Sequence, residues 1–561
     1  MNKILMFFVG MMAFVSNING QTTESQTLYA NHRYLKIPVK NGAPKRDIEL
    51  WLNNEKVRWF DVELADSLYD WIAYLDIEKW KGQSLKLSVF NSNKQRVGFN
   101  LMEQTDLQDD NRIYAENGRG QIHFSAKRGW LNDPNGLVFF KGKYHLFFQH
   151  NPYGTNWGNM HWGHAVSTDL IHWKESGEAL YPDESGVMFS GGAVVDTKNS
   201  AGLGGGISAP PMVLFYTAAE KSWKQGLAYT LDGKEFKKLS NHILDKISTG
   251  NRDPKVIWHE PSKHWVLILY VEGEDGQHSM HLFTSRDMKT WAFASKVDGG
   301  KGNDRYLFEC PEFFELAVDN NPKQKKWVLT GANSQYAIGS FDGKKFIPEA
   351  ERLFSQYGRD YYAAQTFSNE PQGRRVEIGW WRTHTNHGPA AFNQSMSIPM
   401  ELKLKTTSSG IRLFREPVVE LQKLRKNKYH LDRNTIHPEK PDQLQHFTAE
   451  VAELNLLIRP NSAKNIQINV RGLVMNYNVV TEEMVIDNVR AIVPLRDEKL
   501  MLRLFVDRTG LELFAQNGEI YMPINYNFDR NNLQYAIGVL NGQAMLEQAE
   551  LYTLKSIWSE E

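Results

Sequence analysis

Three short acidic segments carry the residues best suited to chemistry. Asp133 stands in Gly129-Trp130-Leu131-Asn132-Asp133-Pro134-Asn135-Gly136-Leu137, Asp253 in Arg252-Asp253-Pro254, and Glu309 in Phe308-Glu309-Cys310-Pro311-Glu312. Each carboxylate lies one or two residues ahead of a proline, which lacks an N–H and restricts the residue before it. Strand ends or turns suit them, where a β-scaffold mounts reactive groups. Taken alone, Asn-Asp-Pro-Asn-Gly is also an ordinary turn. The threefold recurrence of the device is what points to one site. Two carboxylates gathered in one place can work as an ionised and a protonated group near neutral pH, provided their surroundings separate their pKa values.

Such residues need a scaffold, and the flanking sequence reads as strands. From about Gln121 to Lys403, short strands alternate with turns and a weak repeat runs through them. Ser167-Thr168-Asp169-Leu170-Ile171-His172-Trp173 and Thr284-Ser285-Arg286-Asp287-Met288-Lys289-Thr290-Trp291 are two copies; Leu231-Asp232-Gly233-Lys234-Glu235-Phe236 and Phe341-Asp342-Gly343-Lys344-Lys345-Phe346 are shorter forms. The closing aromatics recur about every 55 to 63 residues, which indicates a β-propeller whose inner strands bring distant acids to one axis. The repeated Asp and Trp read as turn capping and packing. Residues 25–104 read as an accessory N-terminal β-domain, 105–120 as a polar linker, 121–403 as the propeller and 414–555 as a C-terminal β-sandwich. The expected fold class is all-β.

Length and composition bound the rest. A chain of 561 residues calls for two or three domains. Its 65 Lys and Arg balance 65 Asp and Glu without a long basic stripe, which argues against nucleic acid or an anionic membrane as partner. Residues 1–20, a cationic start with the apolar run Ile4 to Val15, read as a cleaved export signal, too short for a stable span. Cys310 is the only cysteine, so no internal disulfide forms and no cysteine follows the signal to accept a lipid. A periplasmic or secreted protein without a membrane anchor is expected; the sequence does not reveal its oligomeric state.

The acidic segments, in this order, resemble the three acidic blocks of glycoside hydrolase family 32, the fructan hydrolases and invertases. Phe147-Phe148-Gln149-His150-Asn151-Pro152, Trp157-Gly158-Asn159-Met160-His161-Trp162-Gly163-His164, Phe189-Ser190-Gly191-Gly192 and Gly379-Trp380-Trp381 resemble its supporting blocks. The resemblance implies a five-bladed propeller followed by a sandwich. It also implies a retaining fructan β-fructosidase or β-fructofuranosidase that removes terminal fructose from levan, inulin, fructo-oligosaccharides or sucrose through a fructosyl-enzyme ester. On this chain it makes Asp133 the nucleophile, Glu309 the acid/base, and Asp253 the transition-state stabiliser, kept ionised by Arg252. It makes Trp130, Leu131, Asn132, Gln149, Trp157, Phe189, Ser190, Arg252 and Trp380 the wall of a terminal-fructose pocket, with Asp360, Trp381 and Arg382 as weaker candidates. Read locally, Asp133 beside polar Asn132 suits the ionised form, and Phe308, Cys310 and Pro311 are expected to raise the pKa of Glu309.

Other readings use the same residues. Fructosyl transfer and endo cleavage share the three acids, and a carbohydrate-binding propeller without activity is the alternative from another class. The pocket set and the absence of a lipid-acceptor cysteine favour release of single fructose units from chain ends; the β-2,1 or β-2,6 linkage is not legible. Retention by two carboxylates needs no metal or cofactor. His145, His150, His161 and His164 include one short ligand-like spacing but lack the pattern of a catalytic zinc site. For Cys310 as a nucleophile, no partner histidine is identifiable from spacing.

Overall fold

The structure is a computed structural model that describes residues 22–91, 99–109, 111, 113–206, 208–383, 390–439, 444 and 446–559. The export signal read at residues 1–20 lies outside them. The regular secondary structure of the described residues is nearly all strand, with a few short 3-10 turns, and the chain falls into two compact units that part between Gln108 and Asp109.

In the first unit, a four-stranded sheet runs in the order Thr22–Tyr29, Ser84–Asn91, Arg46–Leu52, Glu55–Val62, and a three-stranded sheet in the order Trp71–Asp76, Tyr34–Val39, Gln104–Thr105. Strict alternation fixes its inner faces: Ile48, Leu50, Leu87 and Val89 are buried from one sheet, Leu35, Ile37, Ala73 and Leu75 from the other.

In the second unit, successive sheets are built mainly of antiparallel strands in chain order. The first runs Gly129–Phe140, Lys143–Asn151, His161–Ser167, Lys174–Leu180, and the third Arg252–His259, His264–Glu272, Gln277–Ser285, Ala292–Lys301. The leading strands Gly129–Phe140, Ala193–Val195, Arg252–His259, Glu312–Val318 and Tyr361–Thr366 are neighbours in that order, and the last meets the first. Backbone bonds join the circuit, with Gly136 N–H donating to Gly191 at 3.0 Å and Ser368 N–H to Leu137 at 2.9 Å. The four repeated segments all connect a third strand to a fourth. Asp169, Asp232, Asp287 and Asp342 each accept two backbone N–H groups of their own turn, and the following residue is left-handed: Leu170, Gly233, Met288 and Gly343. The repeat is therefore a turn motif, as the capping reading holds.

The sequence reading ends this region at Lys403, but the structure carries it further. Met400–Thr407 and Gly410–Pro417 form a tight hairpin that continues the sheet of Val376–Trp381. Thr407-Ser408-Ser409-Gly410 looks like a linker by composition, yet Gly410, at φ 101°, closes the turn. Beyond it, a seven-stranded sheet containing Ala452–Arg459 and Leu500–Asp507 and a five-stranded sheet containing Asn465–Val470 and Leu473–Asn478 share one core that includes Leu454, Leu504, Ile466 and Met475.

Candidate active site

Asp133 lies on the leading strand Gly129–Phe140, where alternation would turn it away from Asn132. A bulge between Leu131 and Pro134 breaks the register, so both neighbours face the same place. Asn132 donates to Asp133 Oδ1 at 3.1 Å and the Ser190 hydroxyl to Oδ2 at 2.8 Å. Asp253 enters through a second register break, between Arg252 and Lys255, with φ 63°. Glu309 and Cys310 precede the strand Glu312–Val318 and are also left-handed, at φ 51° and 38°. Non-glycine residues held so are strained and persist where the surroundings over-determine them.

Cys310 gathers two of the acids. Its N–H donates to Asp253 Oδ2 at 2.9 Å, and its sulfur lies 3.5 Å from that oxygen and 3.6 Å from Asp133 Oδ2. Arg252 joins the third, its Nη2 donating to Glu309 Oε1 at 2.6 Å. The Tyr362 hydroxyl donates to Glu309 Oε2. Sequence reasoning missed Tyr362, which stands beside fully buried Tyr361 in a doublet that gives no sign of which ring faces the site.

The electrostatics reverse two local expectations. Burial raises the Asp133 carboxyl above its ordinary range, helped by the charge of Glu309 and opposed by Ser190 and Asn132. Burial also acts to raise Glu309, but Arg252 and Tyr362 outweigh it and hold that carboxyl below its ordinary value. The apolar sequence neighbours of Glu309 are not its decisive surroundings; donors from other strands are. Asp253 is pushed up to about 7, chiefly by burial, with Glu309 and Asp133 adding to it and Arg252 pulling the other way. Arg252 lowers the Asp253 carboxyl by less than burial raises it, and its hydrogen bond goes to Glu309.

Around the acids, the Trp130 indole donates to Asn132 at 2.9 Å and meets Trp380 edge-on at 6.0 Å. Trp380 also meets Tyr362, at 6.2 Å, and donates to Gln394 at 3.2 Å. Trp157, half exposed, stands edge-on to Phe189 at 6.1 Å, next to Ser190. Buried Gln149 donates to the Met188 carbonyl at 2.8 Å, just ahead of Phe189. Leu131 departs from its expected place. Its side chain is fully buried in the core with Phe124 and Phe148, on the face opposite Trp130 and Asn132, and so offers a ligand no surface.

The weaker candidates divide. Arg382 lies over the Tyr362 and Trp380 rings, at 4.6 and 4.9 Å. Asp360 accepts the Asn525 N–H at 3.1 Å, and Trp381 is buried against His123. Of the histidines, His145 pairs with His164 at 2.9 Å and His150 with Glu178 at 2.7 Å, so these rings serve packing and hydrogen bonding.

The site can hold a small polyol: indole faces for C–H surfaces, fixed donors and acceptors for hydroxyls, and three carboxyl groups at the floor. Comparison with known proteins agrees with such a ligand. Residues 123–417 match the model of the glycosyl hydrolases family 32 N-terminal domain, and 420–523 that of the family 32 C terminal. A levanase of Bacillus subtilis (strain 168) is 34% identical over 493 residues, spanning 80% of this chain and 72% of its own. The extracellular exo-inulinase of Aspergillus awamori is 27% identical over 522 residues, spanning 80% and 96%. Among solved structures, that of an exo-inulinase from Aspergillus awamori superposes with a TM-score of 0.70 at 26% identity over 79% of this chain and 100% of its own. A β-fructofuranosidase from Schwanniomyces occidentalis complexed with fructosyl-erythritol gives 0.69 at 25% identity over 79% and 99%.

Proposed function

Because the chain belongs to glycoside hydrolase family 32, we propose that it is an exported retaining β-fructosidase that removes terminal β-D-fructofuranosyl units from fructans, fructo-oligosaccharides or sucrose. The observation that carries this reading is the convergence of Asp133, Asp253 and Glu309 from three separate sheets around Cys310 and Arg252. The circuit of leading strands is read as the axis of a five-bladed propeller, and the two sheets after residue 417 as a C-terminal sandwich.

Asp133 attacks the anomeric carbon and forms the ester, with Ser190 and Asn132 holding the carboxylate at the angle of attack. Glu309 protonates the departing oxygen and then takes a proton from water. Arg252 and Tyr362 hold its pKa below the ordinary value. A bound saccharide that draws away one of these donors and displaces water raises its pKa toward the protonated form the first step needs. Asp253 hydrogen-bonds the sugar hydroxyls and supports the oxocarbenium-like charge.

Trp130, Trp157 and Trp380 supply aromatic walls for one terminal residue, which supports exo action. Incubating the protein with sucrose, inulin and levan and following products by chromatography tests the reading. Fructose is expected as the dominant early product, first as the β-anomer; an early ladder of oligosaccharides overturns exo action, and no product from any of the three overturns the activity.

A further inference from the structure

Beside the acids lies a second group of charges that the reaction does not use. Lys255, two residues after Asp253, forms an ion pair of 2.5 Å with Glu312, three residues after Glu309, and both side chains are buried. Thr366, four residues after Tyr362, donates its hydroxyl to Glu312 at 2.5 Å and accepts Lys255 on its carbonyl at 3.3 Å. One cluster thus ties together three of the segments that build the site.

Each of those segments turns left-handed where it meets the acids: Asp253 on the first, Glu309 and Cys310 on the second, Ala363, at φ 52°, on the third. The ladder is broken at the same places, with register shifts between Arg252 and Lys255 and between Tyr362 and Gln365. Ladder hydrogen bonds therefore do not hold these residues, and the cluster sits at or just beyond each break. A buried ion pair adds little net stability over apolar residues of equal volume. What it does supply is direction, because an ammonium, a carboxylate and a hydroxyl at these distances tolerate little sliding of one strand past another.

We propose that Lys255, Glu312 and Thr366 are positioning residues that fix Asp253, Glu309 and Tyr362 relative to one another. The proposal rests on Asp253 and Glu309 being reacting groups, as assigned above. Arg375, which donates to the Thr366 hydroxyl at 3.3 Å and faces Glu312, is the remaining buried charge of the cluster. Lys255→Met alone unbalances these charges and tends to unfold, so Lys255→Met/Glu312→Leu, which removes the ion pair and leaves Arg375 in place, carries the test together with the mild Thr366→Val. Both are compared with the parent enzyme in thermal unfolding, in kcat and KM for sucrose, and in the pH profile of kcat/KM; Glu309→Gln is the control.

The folded double variant is expected to lose about tenfold or more in kcat with KM nearly unchanged, and to show a displaced pH profile; Thr366→Val moves the same way by less. Parent-like kcat and pH profile in the folded double variant overturn the positioning role. If that variant does not fold, parent-like values in Thr366→Val overturn it instead. Parent-like turnover in Glu309→Gln overturns the assignment of the reacting groups, whatever the cluster variants do.

Discussion

Arg252 and Tyr362 reach Glu309 from two other strands and hold its pKa below the ordinary value. Tyr362→Phe removes a donor that favours the ionised form, so the Glu309 pKa rises. If the protonated form starts the reaction, the alkaline limb of kcat/KM moves to higher pH, which a pH–rate profile reads directly. Asp133→Ala or Glu309→Ala is expected to lower turnover about 10³-fold, or about 4 kcal/mol of barrier, with thermal unfolding unchanged. The acids were legible because prolines follow them closely at turns. Their pKa order was not, because it depends on residues 53 to 57 positions away in sequence that the fold brings to hydrogen-bond distance. Leu131 shows the opposite limit: a residue inside a telling motif can still face the core.

At the scale of strands, three close packings recur between neighbouring strands. A Cβ on Gly163, Gly226 or Gly379 would stand 2.3 Å from the ring of Phe148, Tyr216 or Tyr361. These aromatics lie flat across a glycine on the adjacent strand, which presses paired strands together. Gly163→Ala is expected to cost about 1–3 kcal/mol through overpacking, read as a lower denaturation midpoint. The repeated Asp turns were legible because a short polar motif at steady intervals needs no long-range partner. The hairpin that ends at Pro417 was not, since its ladder partner Val376–Trp381 lies well before it in the sequence and only pairing reveals the sheet.

Across the whole second unit, fully buried His123 joins the start of the chain's family-matching region to its far end. It pairs with Asp507 at 2.7 Å and Glu512 at 3.0 Å. Burial works against its charge, but the two carboxylates prevail and push its pKa to about 9. Because the folded value exceeds the unfolded one, this stabilisation is complete below about pH 6.5 and is lost as pH rises through about 9. The denaturation temperature should fall across that window, and His123→Gln should flatten the fall while lowering stability at neutral pH. The division between Gln108 and Asp109 leads to a separate expectation: a chain beginning at Asp109 should fold and hydrolyse sucrose at the parent rate. Loss of folding in that shortened chain, seen by circular dichroism, would reject it.

The ties around His123 also bear on how the protein is made. Gln121 and Ile122 donate to Asp507, Tyr114 stacks on Trp558 at 3.8 Å, and Ile557 donates to Gln121 at 2.8 Å. During synthesis all three acids have left the ribosome once residue 309 has passed, yet the lead-in to the Asp133 strand waits for partners translated some 200 to 250 residues later. At about 5–20 residues per second that interval is on the order of 10 to 50 seconds. A nascent chain arrested before residue 507 therefore carries every reacting group without the ties that fix residues 121–123, and turnover should rise once chains are released past Trp558.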